Sequence, residues 1–257
     1  MTDQDWTPDD AMEPAPAPAT PAAPRENDGF PGRLADLVAK PSRLMDNVAA
    51  ASRWWQPLLL NMILIGAFAY VTLPISGPEQ LEMMRDSKLM SMMDEAQWQE
   101  MYDQSLNKST GQLIGESVGA AVSTAFMTLV FSFAMAFFVK MGGARQGIWP
   151  SVGVVMWSSL LPFGLASLVK LPLVLATESA FTANIGLAAL LPGGDPSSAL
   201  YKVLMTYGDL FTWWGLIVMI IGFVRVQGLS RNGSAATVIL PWALMAAIPL
   251  GISILFM

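Results

Sequence analysis

Few side chains in this chain could do chemistry, because the residue types on which most enzymes rely are missing. The 257 residues include no Cys and no His, which excludes a disulfide, a thiolate metal site, a Ser-His-Asp triad and the commonest general base. A charge inside a bilayer usually marks a proton or ion path, but here the charges flank the apolar runs. We therefore predict no enzyme and no catalytic, cofactor or metal site. The charged residues at run ends are Glu116, Lys170, Asp209 and Arg225.

The most informative charge is Asp209, which opens an apolar run that continues with Phe211, Trp213 and Trp214. A carboxylate at a helix start accepts hydrogen bonds from free N–H groups and complements the positive helix end. Arg225 lies near the other end of the run, roughly 24 Å away at about 1.5 Å per residue, so the two cannot pair within one helix. The pattern predicts structural roles for both, with a buried Asp209 facing another helix as the alternative.

Methionines are concentrated after the first apolar run. Thioethers are soft ligands that select Cu(I), but methionine also fills irregular apolar gaps. Because 18 methionines are spread through the whole chain, we interpret the local group as packing residues and predict no metal. The group consists of Met83, Met84, Met90, Met92, Met93 and Met101.

Five apolar runs make up most of the chain after Trp54. Each approaches the roughly 20 residues that a helix needs to cross a bilayer, and the backbone must be helical there to pair its polar groups. The sequence therefore predicts an all-α integral membrane protein built as a five-helix bundle. The predicted spans are Trp55–Ile75, Val118–Val139, Trp149–Val169, Leu210–Val226 and Ala235–Phe256.

The charge distribution predicts an orientation. Lys140 and Arg145 lie in one short loop, and Arg225 and Arg231 flank another, whereas acids outnumber bases in the two long connections. Positive charge in short loops marks the cytoplasmic side, so we expect a cytoplasmic N-terminus and a C-terminus on the far side. The net charge of -6 is not that of a nucleic-acid-binding protein.

The region before the first span divides into two parts. Residues 1–30 are acidic, rich in Pro and Ala, and predicted to be a disordered cytoplasmic tail. Residues 31–257 form the predicted membrane domain. Between Arg33 and Arg53, apolar residues recur at helical spacing, with a break at Lys40-Pro41. This pattern predicts amphipathic helices lying on the membrane surface. Their apolar residues are Leu34, Leu37, Val38, Leu44, Met45 and Val48.

Small residues and prolines indicate how the spans pack. Small side chains let membrane helices approach closely, and we favour packing of the small-residue ridge within the monomer, with a homodimer face as the alternative. Pro57 suits the first turn of a helix, whereas Pro162, Pro241 and Pro249 predict kinks within spans. The ridge consists of Gly115, Gly119 and Ser123, followed by Thr128, Ser132 and Ala136.

Several short motifs follow one another along the chain: Lys40–Arg43, Trp55–Leu60, Pro78–Gln80, Met141–Gly143 with Gln146-Gly147, and Asp209–Trp214 continuing to Ile221-Gly222. In this order and spacing they resemble the Yip family of Ypt/Rab-interacting membrane proteins, in its bacterial form, over residues 34–257. The resemblance implies five spans, a cytoplasmic N-terminus, a bacterial inner membrane location and no catalytic residues. The eukaryotic Asp-Leu-Tyr-Gly-Pro element is only remotely similar to Tyr207-Gly208-Asp209-Leu210, so binding of Rab GTPases is not implied here.

These observations favour a non-enzymatic scaffold, adaptor or membrane-organising protein. Its expected partners are the lipid bilayer and other membrane proteins or further copies of itself, with no nucleic acid and no cofactor. The predicted contact surfaces are the tail with its amphipathic helices and the small-residue ridge. The alternative is a transporter or channel subunit, which the prolines favour and the lack of charge within the spans opposes.

Overall fold

The computed structural model describes residues 29–85, 93–183, 185–191 and 198–255. Within these ranges the regular secondary structure is helical, apart from one isolated bridge between Gly186 and Asp209, so the prediction of an all-α fold is confirmed for them. Most of the predicted tail, Met90, Met92 and Phe256 lie outside the described residues. The helices are α1 (Phe30–Ala39), α2 (Pro41–Ala50), α3 (Trp55–Met84), α4 (Glu95–Leu106), α5 (Thr110–Met141), α6 (Ile148–Ser159), α7 (Ala166–Thr177), α8 (Ala199–Tyr207), α9 (Leu210–Gln227) and α10 (Arg231–Leu255).

Four helical stretches in the described ranges are long and apolar enough to cross a membrane: α3, α5, the stretch Ile148–Thr177 and α9. They contain the first four predicted spans. The helices extend beyond the predicted ends because helical structure continues into polar sequence. Thus α5 begins at a capping box formed by Ser109 and Gln112, before the predicted start of the span at Val118. The fifth predicted span lies in α10, which has 25 residues, and its crossing of the membrane remains a prediction.

The first two helices belong to the core of the bundle. As predicted, the helical pattern breaks at Lys40, between α1 and α2. However, Leu37, Leu44, Met45 and Val48 are at most 1% exposed and share one apolar core with residues of α6 and α9. The expectation that this apolar face lies on lipid is therefore wrong for these side chains. Periodicity in a sequence reveals an apolar face but not the surface that covers it.

Two glycines outside the predicted ridge allow α2, α6 and α9 to approach closely. A Cβ atom on Gly222 of α9 would stand 2.4 Å from Val154 Cγ1 and 2.9 Å from Met45 Sδ. A Cβ atom on Gly153 of α6 would stand 3.0 Å from Val48 Cγ1. Because real Cβ contacts are longer than this, larger residues at these positions would push the three helices apart.

The predicted ridge on α5 divides between two faces of the helix. Thr128, Ser132 and Ala136 are buried, as expected for packing within the monomer. Ser123 is exposed, and a Cβ atom on Gly115 or Gly119 would have no neighbour within 4 Å, so the expectation of internal packing is wrong for these three. The step of five residues from Ser123 to Thr128 turns about 140° around a helix, which moves the second half of the ridge onto another face.

Pro57 and Pro162 occupy positions where a residue without a backbone N–H group is tolerated. Pro57 lies in the first turn of α3, as predicted. Pro162 lies in a six-residue π-helical segment, Leu160–Leu165, that joins α6 to α7, so the expected irregularity within this span is present. A Cβ atom on Gly215 of α9 would stand 3.1 Å from Pro162 Cδ and 3.2 Å from the Ser158 carbonyl oxygen. Glycine therefore lets α9 approach the irregular segment.

We predict that Gly222→Leu will destabilise the protein by about 3 kcal/mol, because overpacking a closed interface forces backbone shifts. The expected readout is a lower unfolding temperature of the purified protein in detergent. The matched variant Gly115→Leu, where a Cβ has no neighbour within 4 Å, should keep the wild-type unfolding temperature. Equal unfolding temperatures for the two variants would contradict this packing.

Candidate functional site

Asp209 caps the N-terminus of α9. Its backbone is extended, with φ -67° and ψ 136°, and its Oδ1 atom accepts hydrogen bonds from the N–H groups of Phe211 at 2.8 Å and Thr212 at 3.4 Å. Asp209 is only 3% exposed. The structure therefore places Asp209 in the capping position that its sequence pattern indicates.

The second carboxylate oxygen of Asp209 faces a cation on another helix. Lys170 Nζ of α7 lies 2.5 Å from Asp209 Oδ2, with side-chain exposures of 27% for the lysine and 4% for the aspartate. Thus one carboxylate holds the start of α9 with one oxygen and ties it to α7 with the other. This is the arrangement that the sequence left as the alternative, a buried Asp209 that faces another helix.

The chain between α7 and α8 folds over this ion pair. Leu187 donates its backbone N–H to the Gly208 carbonyl at 3.0 Å, and Gly186 forms the bridge with Asp209. A Cβ atom on Gly186 would stand 2.7 Å from the Gly208 carbonyl oxygen, so glycine is required for the approach. These contacts help to shield Asp209 from solvent.

A second carboxylate at the same end ties α3 to the end of α7. Glu79 of α3 accepts hydrogen bonds from the Ser179 hydroxyl and, at 2.8 Å, from the Ala180 backbone N–H. Glu178 just before them has a positive φ of 51°, which turns the chain back toward α3. In the sequence, Glu79 stands out only as one of the acids of a long connection. Its place within the Pro78–Gln80 motif is the one feature that could have indicated a structural role.

Aromatic side chains surround the start of α9. The ring centroids of Trp213 and Trp242 are 4.9 Å apart, and those of Tyr207 and Trp242 are 6.0 Å apart. The Tyr207 hydroxyl donates a hydrogen bond to the Met245 carbonyl at 3.1 Å. Pro249, four residues after Met245, has no N–H to donate to that carbonyl. Tyr207 therefore pairs a carbonyl that a proline in α10 leaves without its helical donor.

Phe211 and Trp214 lie near the cap, in the first two turns of α9, and both are partly exposed. The other predicted residues lie away from Asp209. Arg225 lies at the opposite end of α9, 3.8 Å from Asp46 Oδ1 of α2, and both of these side chains are about half exposed. The candidates other than Phe211, Trp213 and Trp214 thus do not form one site with Asp209: Pro57 begins α3, Pro162 lies beside Gly215, and Gly115, Gly119 and Ser123 face outward.

A second group of buried polar contacts lies at the end of α9, around Gln227, and it was not predicted from the sequence. Gln227 is fully buried. Its Nε2 atom donates to Ser151 Oγ at 2.7 Å and to the Gly147 carbonyl at 3.2 Å. Its Oε1 atom accepts from the Gln146 N–H at 2.9 Å. The Gln146-Gly147 motif after α5 therefore serves to bind the end of α9.

Two of the described methionines of the concentrated group line a cavity, and the packing role of the group remains a prediction. Met84 and Met101 help to line a cavity of about 340 Å³ between α3, α4 and α5, together with Leu73 and Leu81. On α4, desolvation and the neighbouring Glu82 carboxylate raise the pKa of Tyr102 above its usual value. Within the described ranges, no group of three or more acidic residues is arranged to hold a metal ion.

The fold and this site define a polytopic membrane protein whose polar side chains hold apolar helices together. A family model described as the Yip1 domain matches residues 35–252, so the chain belongs to the Yip1 domain family. The family indicated by the sequence motifs is thereby confirmed. Searches of curated proteins and of solved structures gave no match.

We predict that Asp209→Asn will destabilise the protein by about 3 kcal/mol, because it leaves the partly buried Lys170 ammonium without its partner. This cost is near the lower end for buried ion pairs because Lys170 is 27% exposed. The double variant Lys170→Met/Asp209→Asn should recover part of the loss in thermal unfolding measurements in detergent.

The matched control is the exposed ion pair between Arg85 and Glu95, whose atoms lie 2.8 Å apart with side-chain exposures of 52% and 73%. Glu95→Gln should cost no more than about 1 kcal/mol. If Asp209→Asn and Glu95→Gln have equal effects, the ion pair does not hold α9 to α7.

Proposed function

We propose that this protein is a non-enzymatic scaffold or adaptor of a bacterial inner membrane. The observation that supports this most directly is the structural use of Asp209: it is buried at the start of α9, where one of its oxygens caps that helix and the other pairs with Lys170 of α7. The polar chemistry of the site therefore serves assembly.

We further propose five spans, with α10 as the fifth, a cytoplasmic N-terminus and a far-side C-terminus. Charge supports this, since Lys140, Arg145 and Arg231 flank the connections at the end of the bundle where α1 and α2 lie. The two connections at the other end carry most of the acids. Positive charge in short connections favours the cytoplasmic side.

We expect a reporter that is active only outside the cytoplasm to be active when fused after Met257 and inactive when fused before Met1. A cytoplasmic reporter should show the reverse pattern. If both fusions report the same side, the number of spans is even and α10 does not cross the membrane.

The contacts of α1 support a docking role for the residues that precede it. Phe30, at the start of α1, packs on Trp157 of α6 with ring centroids 6.0 Å apart. The segment 1–28 is therefore attached to a fixed point on the bundle. An acidic segment tethered at one place is suited to present a binding motif to a partner, and the outward-facing Gly115, Gly119 and Ser123 offer a second surface for a partner helix or another copy.

We expect crosslinking in native membranes, followed by affinity purification and mass spectrometry, to recover a reproducible set of partner proteins. Deletion of residues 1–28 should remove some of these partners, while Gly115→Leu should remove only those that contact α5. Recovery of the chain alone in every case would contradict the adaptor function.

The second candidate function is a transporter or channel subunit, and one observation favours it. Broken helices are common in transporters, and the π-helical segment Leu160–Leu165 adjoins a buried polar side chain. Asn61 of α3 is 4% exposed and donates to Ser159 Oγ at 3.0 Å, while its Oδ1 has no hydrogen-bond donor in the described part of the chain. Ion flux in proteoliposomes that is lost in Asn61→Leu would support this function over the scaffold.

A further inference from the structure

Two short connections at one end of the bundle are bound to each other. The Arg145 backbone N–H donates to the Gln227 carbonyl at 3.3 Å, and a Cβ atom on Gly228 would stand 3.3 Å from Arg145 Cδ. On the other side of the loop, a Cβ atom on Gly142 would stand 3.7 Å from Thr237 Oγ1 of α10. The connection after α5 is therefore held against the connection between α9 and α10.

Three exposed cations flank these joined connections, and we refer to them as the basic triad. Lys140 is in the last turn of α5, Arg145 lies in the loop after it, and Arg231 opens α10. The loop that carries Arg145 is held by the buried Gln227, which binds both this loop and the first turn of α6. Lys140 and Arg231 lie on the helices α5 and α10, so each member of the triad belongs to a helix or to a bound loop.

Acidic side chains that could neutralise the triad are scarce. The sequence has no Asp or Glu between Glu116 and Glu178 and none after Asp209. At this end of the bundle, Asp36 pairs with Arg43 at 3.3 Å and Asp46 with Arg225 at 3.8 Å. Within the described ranges, no carboxylate forms an ion pair with any member of the triad.

Features typical of a membrane–water interface lie beside two members of the triad. Trp149 in the first turn of α6, close after Arg145, is 53% exposed, and its ring stacks on Trp54 with centroids 5.6 Å apart. Indole rings favour the membrane–water interface. Lys140 ends a helix that is apolar enough to cross a membrane, so we expect these cations to lie near the lipid headgroups.

We propose that the basic triad binds the phosphate of an anionic phospholipid. A phosphate carries the charge that the triad lacks, and the guanidinium groups of Arg145 and Arg231 can each bind phosphate oxygens in a bidentate manner. Basic surfaces beside membrane helices are suited to anionic headgroups. The acyl chains of the lipid then lie along the apolar surface of α5, where Phe133 and Phe137 are exposed.

The test uses the full chain, purified in detergent and mixed with equal amounts of phosphatidylglycerol and phosphatidylcholine. Native mass spectrometry then counts the lipids that stay bound. We expect phosphatidylglycerol to be retained at least about fivefold over phosphatidylcholine, since each basic residue near a membrane surface favours anionic lipid by about that factor. The preference should weaken at about 0.5 M salt, which screens exposed charges.

The decisive variant is Lys140→Gln/Arg231→Gln, which spares the packing of Arg145 on Gly228. Its preference for phosphatidylglycerol should fall severalfold, to that of the single remaining Arg145, and Arg145→Gln alone should reduce the preference by less. The charge-matched control Arg85→Gln/Lys108→Gln changes two cations at the other end of the bundle and should keep the wild-type preference. Unfolding temperatures of all variants identify any loss of fold, and Lys140→Gln and Arg231→Gln measured singly replace a double variant that does not fold.

Three results would overturn the proposal. The wild type could retain both lipids equally, which is also the result expected if the acidic residues 1–28 cover the triad. The triad variant could keep the wild-type preference. The control variant could lose the preference as strongly as the triad variant, which would show that the effect depends on net charge alone. Because this test does not involve protein partners, its failure would not contradict the proposed scaffold function.

Discussion

Polar groups surrounded by apolar side chains have no water to bind, so each must find its partner within the protein. This constraint accounts for most of the polar contacts in the bundle. Ser234, which is fully buried, donates to the Ile220 carbonyl of α9 at 2.8 Å, and Tyr207 supplies the hydrogen bond that Pro249 cannot supply. Several other hydroxyls bond the carbonyl four residues earlier in their own helix, as Ser132 does with Thr128. Polar residues therefore appear where they can complete a helix or join two helices.

The same constraint accounts for the two groups of polar contacts at the ends of α9, which are formed by Asp209 and Gln227. At its start, Asp209 satisfies N–H groups of the first turn and pairs with α7. At its end, Gln227 satisfies the loop after α5 and the first turn of α6. Between these two ends the contacts of α9 are close, because Gly215 and Gly222 let it approach α6 and the π-helical segment. Fixed ends and a glycine-lined middle hold α9 closely against α2, α6 and the π-helical segment.

The sequence was sufficient to predict local features, whereas most of the pairing between distant segments was not predictable from it. Apolar runs predicted the all-α class and the first four long helices, and the sequence around Asp209 indicated a cap, because helix signals are local. Lys170 could not be assigned to Asp209, nor Glu79 to Ser179, since each pair depends on how helices are arranged. The outward direction of Gly115 and Gly119 and the burial of Leu44 and Met45 were missed for the same reason. Spacing identifies a face of a helix, and only the fold identifies what that face contacts.

The position of α1 and α2 has a consequence for the order of assembly. These helices are synthesised first, yet their apolar side chains pack against α9, which is synthesised near the end. Contacts between residues so far apart in sequence form late, because a long loop must close before they contribute. Until α9 arrives, Leu44, Met45 and Val48 have no α9 surface to cover them, and exposed apolar surface on incomplete chains invites aggregation and capture by chaperones. Packing of the first helices on α9 therefore comes late in synthesis, and a chain truncated before α9 would leave Leu44, Met45 and Val48 without the α9 side of their core.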